Sequence, residues 1–283
     1  MLDILIISHA RSTIAANSPF FIRYLMEYWQ AAGYKIAVQQ GLQTPPQTQL
    51  AINHIKDTYT PEAYQKLFNR FPYTMNGGLN DISKQAISHD GLSRESDHNS
   101  TVMVKSRLNG GGRWEAKLTA VREGLPPVVP GQGENYHVYS ALSQVPEAIW
   151  QSQTAFVQPF YREESAHGYV LRCCYVVGQR RLHTIAFADH PIIYWHNCSA
   201  PTVVEDPVKN FFASYCQQVG LEVGAIEYLL VDGEPKVLDV NRTPALPASM
   251  VESYSDQLRW LSAGIDRYLE QAESVNKNLA ILT

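Results

Sequence analysis

The stretch from Val223 to Pro247 constrains this chain more than any other part of it. Two strand-like runs, 223–231 and 236–240, flank the turn residues Asp232-Gly233, so the stretch reads as an antiparallel hairpin. Asp239 and Asn241 stand two apart on the second run, and side chains at that spacing project from one face of a sheet. A carboxylate and an amide carbonyl on one face are hard oxygen ligands, suited to magnesium (Mg2+) held against phosphates. Whether Glu227 joins them is a question of parity. A two-residue loop pairs Val231 with Glu234 and sends Glu227 to the face opposite Asp239. An odd loop, such as Asp232-Gly233-Glu234 or a five-residue one, sets Glu227 directly across from Asp239. The metal set Glu227, Asp239 and Asn241 therefore requires the odd loop, and the plain alternative is a hairpin with solvent-facing polar residues.

The rest of the chain reads as an α/β (α+β) fold. Residues 3–8 form an apolar first strand. Ser18-Pro19 supplies an N-cap and first-turn proline for a helix that Gly33 closes, and 35–39 follow as a second strand. Such a unit implies a parallel pair with a right-handed crossover, and it holds no G-x-G-x-x-G, so a dinucleotide site has no support. A short strand at 50–55 leads to a helix capped by Thr60-Pro61 and carrying Tyr64, Leu67 and Phe68. From Asn76 to Ser100 the composition turns polar and rich in Gly, Ser and Asp, which reads as a lobe boundary or mobile loop. The strand 101–105 runs into Asn109-Gly110-Gly111-Gly112, and 124–135 read as an irregular connection. Further strands are expected at 155–158, 169–178 and 181–188, a helix between Asp206-Pro207 and Gly220, and a last helix from about Ser255. The expected division is into lobes 1–75, 76–155 and 156–283.

Outside the hairpin, Lys105 ends an apolar strand just before the glycines. A lysine there can meet phosphate oxygens while glycines let backbone N–H groups approach them. It is no Walker loop, because the lysine precedes the glycines, and a solvated strand-end lysine is the plain alternative. Arg172 interrupts the apolar run 169–177 and needs a partner if buried: a phosphate, or a local acidic residue. His137, His183, His190 and His196 lack ligand-like spacing and read as structural or surface residues. The four cysteines fit no zinc pattern. A net charge of −4 with no long basic run gives no footprint for nucleic acid, and no stretch approaches the roughly 20 apolar residues of a membrane span. A soluble, cytoplasmic protein is the expectation.

Five segments in order resemble the ATP-grasp superfamily, specifically its small, poorly characterised bacterial members. They are Ile82-Ser83-Lys84; Val102 to Lys105 with Asn109 to Gly112; Phe156 to Phe160; Leu171-Arg172 with Val176 to Gly178; and Gly224 to Tyr228 with Leu238 to Pro244. The likeness covers residues 76–247, and 1–55 look like the small α/β lobe that usually precedes such a unit. It implies ATP between two antiparallel-sheet lobes, with Lys105 and Lys84 on phosphates beside the loop Gly110, Gly111 and Gly112. It further implies Gln158, Pro159 and Phe160 as the adenine-facing hinge, Glu163 on the ribose and Arg172 on phosphate. Glu227, Asp239 and Asn241 would hold one or two magnesium ions, and Arg242 would stabilise the transferred phosphoryl group. The sequence departs from the family's pattern in having glutamate at 227, where aspartate is usual, and aspartate at 239, where glutamate is; Ala245 replaces a common glycine. Such proteins typically activate a carboxylate as an acyl phosphate for an amine or other nucleophile, so a ligase acting on a small-molecule or peptide substrate is implied. A phosphotransferase and a non-catalytic nucleotide-binding protein are the alternatives, and the oligomeric state, a homodimer included, is left open.

Overall fold

The computed structural model describes residues 2–118 and 136–281, and the connection expected at 124–135 lies outside the described residues. The chain opens on a parallel sheet of order β2-β1-β3-β4, made of β1 (Leu2–Ser8), β2 (Ile36–Gln40), β3 (Thr48–His54) and β4 (Thr74–Met75). Both faces of β1 are covered, which is why its sequence is apolar without a break from Ile4 to Ile7. Ile4 and Ile6 pack with Leu50 and Ile52 against Phe21, Leu25 and Trp29 of helix α1 (Phe21–Ala31). Leu5 and Ile7 pack against Tyr64, Leu67 and Phe68 of α2 (Glu62–Phe68).

The start of α1 differs from the sequence expectation. Ser18-Pro19 lies outside the helix, and Phe20 is extended and bridges Ala245. The helix's first N–H, on Phe21, donates to the Pro244 carbonyl at 2.9 Å, while Leu246 N donates to Pro19 O at 2.8 Å. A backbone carbonyl from beyond the hairpin thus does what a side-chain cap does elsewhere.

Two antiparallel sheets follow. The smaller, of order β6-β5-β7, joins β5 (Val102–Ser106), β6 (His137–Tyr139) and β7 (Ala155–Pro159). Val102, Val104 and Val157 pack with Leu142 and Val145, so strand alternation turns Met103, Lys105 and Gln158 to the other face. The larger contains β8 (Glu164–Ser165), β9 (Gly168–Val177), β10 (Arg180–Ala188), β11 (Thr202–Val204), β12 (Val223–Val231) and β13 (Glu234–Asn241). Its order is β11-β10-β9-β12-β13, with β8 paired to β9. One face buries Cys174, Val176, Ile226 and Tyr228 against Phe212, Tyr215 and Cys216 of the helix Phe211–Val219. The other buries Cys173, Tyr175, Val223 and Ala225 against Phe21 and against Leu258, Leu261 and Ile265 near the C-terminus.

Two expectations are corrected here. The polar stretch 76–100 is no mobile loop at its start: Asn76, Leu79, Ile82, Ser83, Lys84 and Ile87 are all buried. Its polar side chains satisfy backbone groups; Asn76 accepts from Glu222 N at 2.7 Å and donates to Val223 O at 2.6 Å. Ser83 caps the short helix α3 (Lys84–Ile87), accepting from Ala86 N. Asp206-Pro207 does not open the following helix; Asp206 accepts from Val208 N at 2.9 Å in a turn, and the helix begins at Phe211. Among the described residues no helix is long and apolar enough to cross a membrane.

Candidate functional site

The hairpin β12-β13 closes with two residues. Val231 pairs with Glu234, and Asp232 (φ 53°) and Gly233 (φ 81°) both adopt the left-handed conformation of a type I′ turn. The odd loop that the sequence reading required is therefore absent. Glu227 nevertheless pairs with Asp239, because the register slips on the next residue and Tyr228 pairs with Val237. Leu238 is the extra residue of a β-bulge, and one extra residue restores the parity that the even loop removes. The Leu238 carbonyl has a further use: it accepts a hydrogen bond from Lys105 Nζ at 3.0 Å.

Glu227 continues the apolar face of Val223 and Ala225 just where that face leaves the core and meets a cleft between the two antiparallel sheets. The inner end of the cleft is walled by Met103, Leu171, Ile192, Ile193, Leu229 and Leu238, with Gln158 and Tyr161 as polar groups. The outer end is bordered by Gly110, Gly111, Arg113, Tyr194, Trp195 and His196. Lys84, Glu227 and Asp239 border both ends. Gly110, Gly111 and Gly112 take φ of 53°, 70° and 75°, a left-handed run that side-chain-bearing residues rarely adopt. The loop is pinned by Asn109 N, which donates to Thr58 Oγ1 at 2.8 Å, and it feeds directly into α4 (Arg113–Leu118).

The charges in the cleft are tightly arranged. Lys84 Nζ lies 2.5 Å from Asp239 Oδ1. Burial lowers the Lys105 pKa from 10.5 to about 7, and the neighbouring Lys84 ammonium adds to this while Asp239 and Glu227 oppose it. The Glu227 carboxyl is pushed up, first by burial and then by the Asp239 charge, while a hydrogen bond from Trp195 Nε1 to its Oε1 (2.8 Å) favours the ionised form.

The donor set fits a small hard cation. Trp195 takes one oxygen of Glu227 and Lys84 one oxygen of Asp239; among the described residues Oε2 and Oδ2 have no other hydrogen-bond partner. No group of three or more His, Cys, Asp or Glu that could hold a metal occurs among the described residues. Two carboxylates with the remaining positions left to water and phosphate is, however, how magnesium is usually bound.

The structure brings Lys84, Lys105, Gly110, Gly111, Gln158, Glu227 and Asp239 to the cleft. Lys84 is among them because the buried 76–88 segment carries it there. Asn241 shares the face of Asp239 through its pairing with Ala225, but its Oδ1 accepts from Thr243 N at 2.9 Å and it does not border the cleft. Pro159 and Phe160 follow Gln158 and do not border it either; Phe160 N donates to Thr101 O at 2.9 Å.

Three expected roles do not match the geometry. Arg172 and Leu171 alternate on β9, so Arg172 projects from the face opposite the cleft. There it forms a two-pronged pair with Glu163, at 2.7 to 3.0 Å, and Glu163 also accepts from Leu230 N at 2.7 Å. The local acidic partner is thus the one realised, and it occupies the carboxylate expected on the ribose. Arg242 lies just past the end of β13 and does not border the cleft. It is 2% exposed, and its guanidinium donates to Thr60 Oγ1 at 2.7 Å and to the Leu79 and Asp57 carbonyls. Arg242 fastens the loops 57–60 and 79 to the end of β13.

Tyr136, Tyr161 and Trp195 border the cleft and were not singled out in the sequence. Nothing in the run Tyr194-Trp195-His196 says that the indole reaches an acidic residue on β12.

No family model and no curated protein matches the sequence. Solved structures do. The D-alanine–D-alanine ligase of Bacillus anthracis matches with a TM-score of 0.55 at 13% identity, over 98% of this chain and 99% of that one. A RimK domain ATP-grasp protein of Sphaerobacter thermophilus matches at 0.51 and 12%, over 92% and 98%. The macrocyclase MdnC of Microcystis aeruginosa, bound with its precursor peptide MdnA, matches at 0.55 and 11%, over 95% and 100%. This chain has the ATP-grasp fold.

Proposed function

We propose that the chain is an ATP- and magnesium-dependent ligase that activates a carboxylate as an acyl phosphate for attack by an amine or similar nucleophile. One observation carries the reading: two lysines, two opposed carboxylates and a left-handed glycine loop border a single cleft whose inner end is apolar. Adenine would occupy that inner end against Met103, Leu171 and Leu229, with Gln158 as a polar partner. The phosphates would run outward past Lys105 and Lys84 to the N–H groups of Gly110 and Gly111. Glu227 and Asp239 would hold magnesium, with Asn241 close along the same face. The metal would neutralise charge on the phosphates and orient them. Lys84, paired with Asp239 in the ligand-free chain, is placed to exchange that carboxylate for a phosphate oxygen.

In the first step a substrate carboxylate oxygen attacks the γ-phosphorus, the bond to the β–γ bridging oxygen breaks, and ADP leaves with the electron pair. In the second the amine attacks the acyl carbon, phosphate leaves with the C–O electron pair, and the nitrogen gives up a proton to solvent. Position and electrostatics carry both steps, so no side-chain nucleophile is needed. Support comes also from what the structural neighbours hold: the B. anthracis ligase has been crystallised with ATP, and the ATP-grasp ligase PsnB with a minimal precursor, magnesium and ADP. A small molecule or peptide bearing a carboxylate is the substrate class proposed.

Hydroxylamine trapping tests the reaction. With ATP, magnesium and a panel of amino acids and peptides, a ligase gives a hydroxamate and equal ADP and phosphate. A stable phosphorylated acceptor, inert to hydroxylamine, would place the chain among phosphotransferases instead.

A further inference from the structure

We propose that Trp195 is a positioning residue for the metal pair, its indole N–H holding the Glu227 carboxylate in the orientation that sets it against Asp239. The inference rests on the reading of the cleft as a magnesium–nucleotide site and adds to it a residue from a separate loop. Glu227 sits on β12, directly across from Asp239 on β13, with its Oε1 held at 2.8 Å by Trp195 Nε1. Asp239 is held the same way at Oδ1, by Lys84. Lys84 would give up that contact to a phosphate oxygen, whereas the indole leaves Glu227 fixed through one oxygen and offering the other, which is how outer partners orient metal ligands.

The loop that delivers Trp195 is built to stay in place. Asn197 braces it from within, accepting from Tyr194 N at 2.8 Å and donating to Ile192 O at 3.3 Å. Its base is tied to β10, where Ser199 N donates to Phe187 O at 2.8 Å and Ser199 Oγ accepts from Phe187 N at 3.0 Å. On either side of the indole, Tyr194 stacks between Tyr136 (centroids 5.6 Å apart, 15°) and His196 (5.2 Å, 12°). Trp195 itself is 41% exposed, and among the described residues the hydrogen-bond partner of its ring N–H is the Glu227 carboxylate. A ring placed for packing alone would be better buried, whereas this exposed one borders the cleft and directs its N–H at Glu227.

The test is calorimetric titration of ADP, with and without magnesium, into wild type, Trp195→Phe and Trp195→His. Trp195→Phe keeps a ring and removes the donor, and Trp195→His keeps a ring N–H. The expected result is that the magnesium-dependent gain in ADP affinity falls roughly tenfold in Trp195→Phe, the lower end of what losing an outer partner of a metal ligand does. Affinity for ADP without metal should stay within about twofold of wild type, and Trp195→His should recover part of the loss. An unchanged metal effect in Trp195→Phe overturns the inference alone. So does a larger one, which would mean that the indole blocks Glu227, and so does an equal loss in both variants, which would assign the effect to ring packing. A wild type whose ADP affinity ignores magnesium overturns the site reading, and the inference with it.

Discussion

Replacing Lys105 with methionine should make the protein more stable while weakening the nucleotide binding proposed for the cleft. The side chain is 6% exposed and its pKa falls from 10.5 to about 7, chiefly through burial. In the unfolded chain the lysine keeps its proton up to about 10.5, so at pH 7 holding it in the cleft costs about 4 kcal/mol. Methionine fills a similar volume without that penalty but loses the charged hydrogen bond to Leu238 O, worth about 2 kcal/mol. A net gain of about 2 kcal/mol is therefore expected at pH 7. The sign of the pH dependence follows from proton counts. Between about pH 7 and 10.5 the unfolded wild type binds more protons than the folded, so wild-type stability rises with pH, and the variant's advantage should shrink by roughly 1 kcal/mol per unit. Urea unfolding of both proteins at pH 7, 8 and 9 measures this. A variant less stable than wild type at pH 7, or a difference independent of pH, would refute the reasoning. Stability gained with binding lost is what a functional lysine in an unfavourable site gives.

Other outcomes follow from the residues that the structure moves out of the site. Arg242→Met strands three oxygen acceptors in the interior and should lower unfolding stability by about 3 kcal/mol. Because Arg242 does not border the cleft and its guanidinium is engaged by Thr60, Leu79 and Asp57, ADP affinity of the folded variant should stay within about twofold; a larger loss by calorimetry would restore Arg242 to the phosphates. Glu163→Gln breaks a pair whose side chains are 12% and 15% exposed and should cost about 2 kcal/mol in urea unfolding, again with ADP affinity unchanged.

How much of this was legible in the sequence varies with the kind of information needed. The first sheet was, because β1 and its helix carry full apolar periodicity and a parallel crossover has one hand. So were the long strands of the second half, and the candidates Lys105, Gly110, Gly111, Glu227 and Asp239. The hairpin parity was not, since a bulge at Leu238 leaves no compositional trace: leucine is an ordinary strand residue, and only the pairing of Tyr228 with Val237 reveals it. The start of α1 was misplaced because its cap is the Pro244 carbonyl, more than two hundred residues away in sequence. Residues 76–88 looked like a loop because their polar side chains serve buried backbone groups. Arg172 was drawn to the phosphates although alternation along β9 places it opposite Leu171, and Arg242 was drawn there by the family resemblance although it lies past the end of β13 among the carbonyls of Asp57 and Leu79.

The central claim is that Glu227 and Asp239, brought opposite each other by the Leu238 bulge, hold magnesium against a nucleotide. Titration of ADP with and without magnesium into wild type and Asp239→Asn tests it most directly. The account predicts that magnesium tightens ADP binding to wild type at least tenfold and that Asp239→Asn abolishes the metal effect, since neutralising one of two carboxylate ligands halves the charge that the pair offers the metal. Equal tightening by magnesium in both proteins would contradict it.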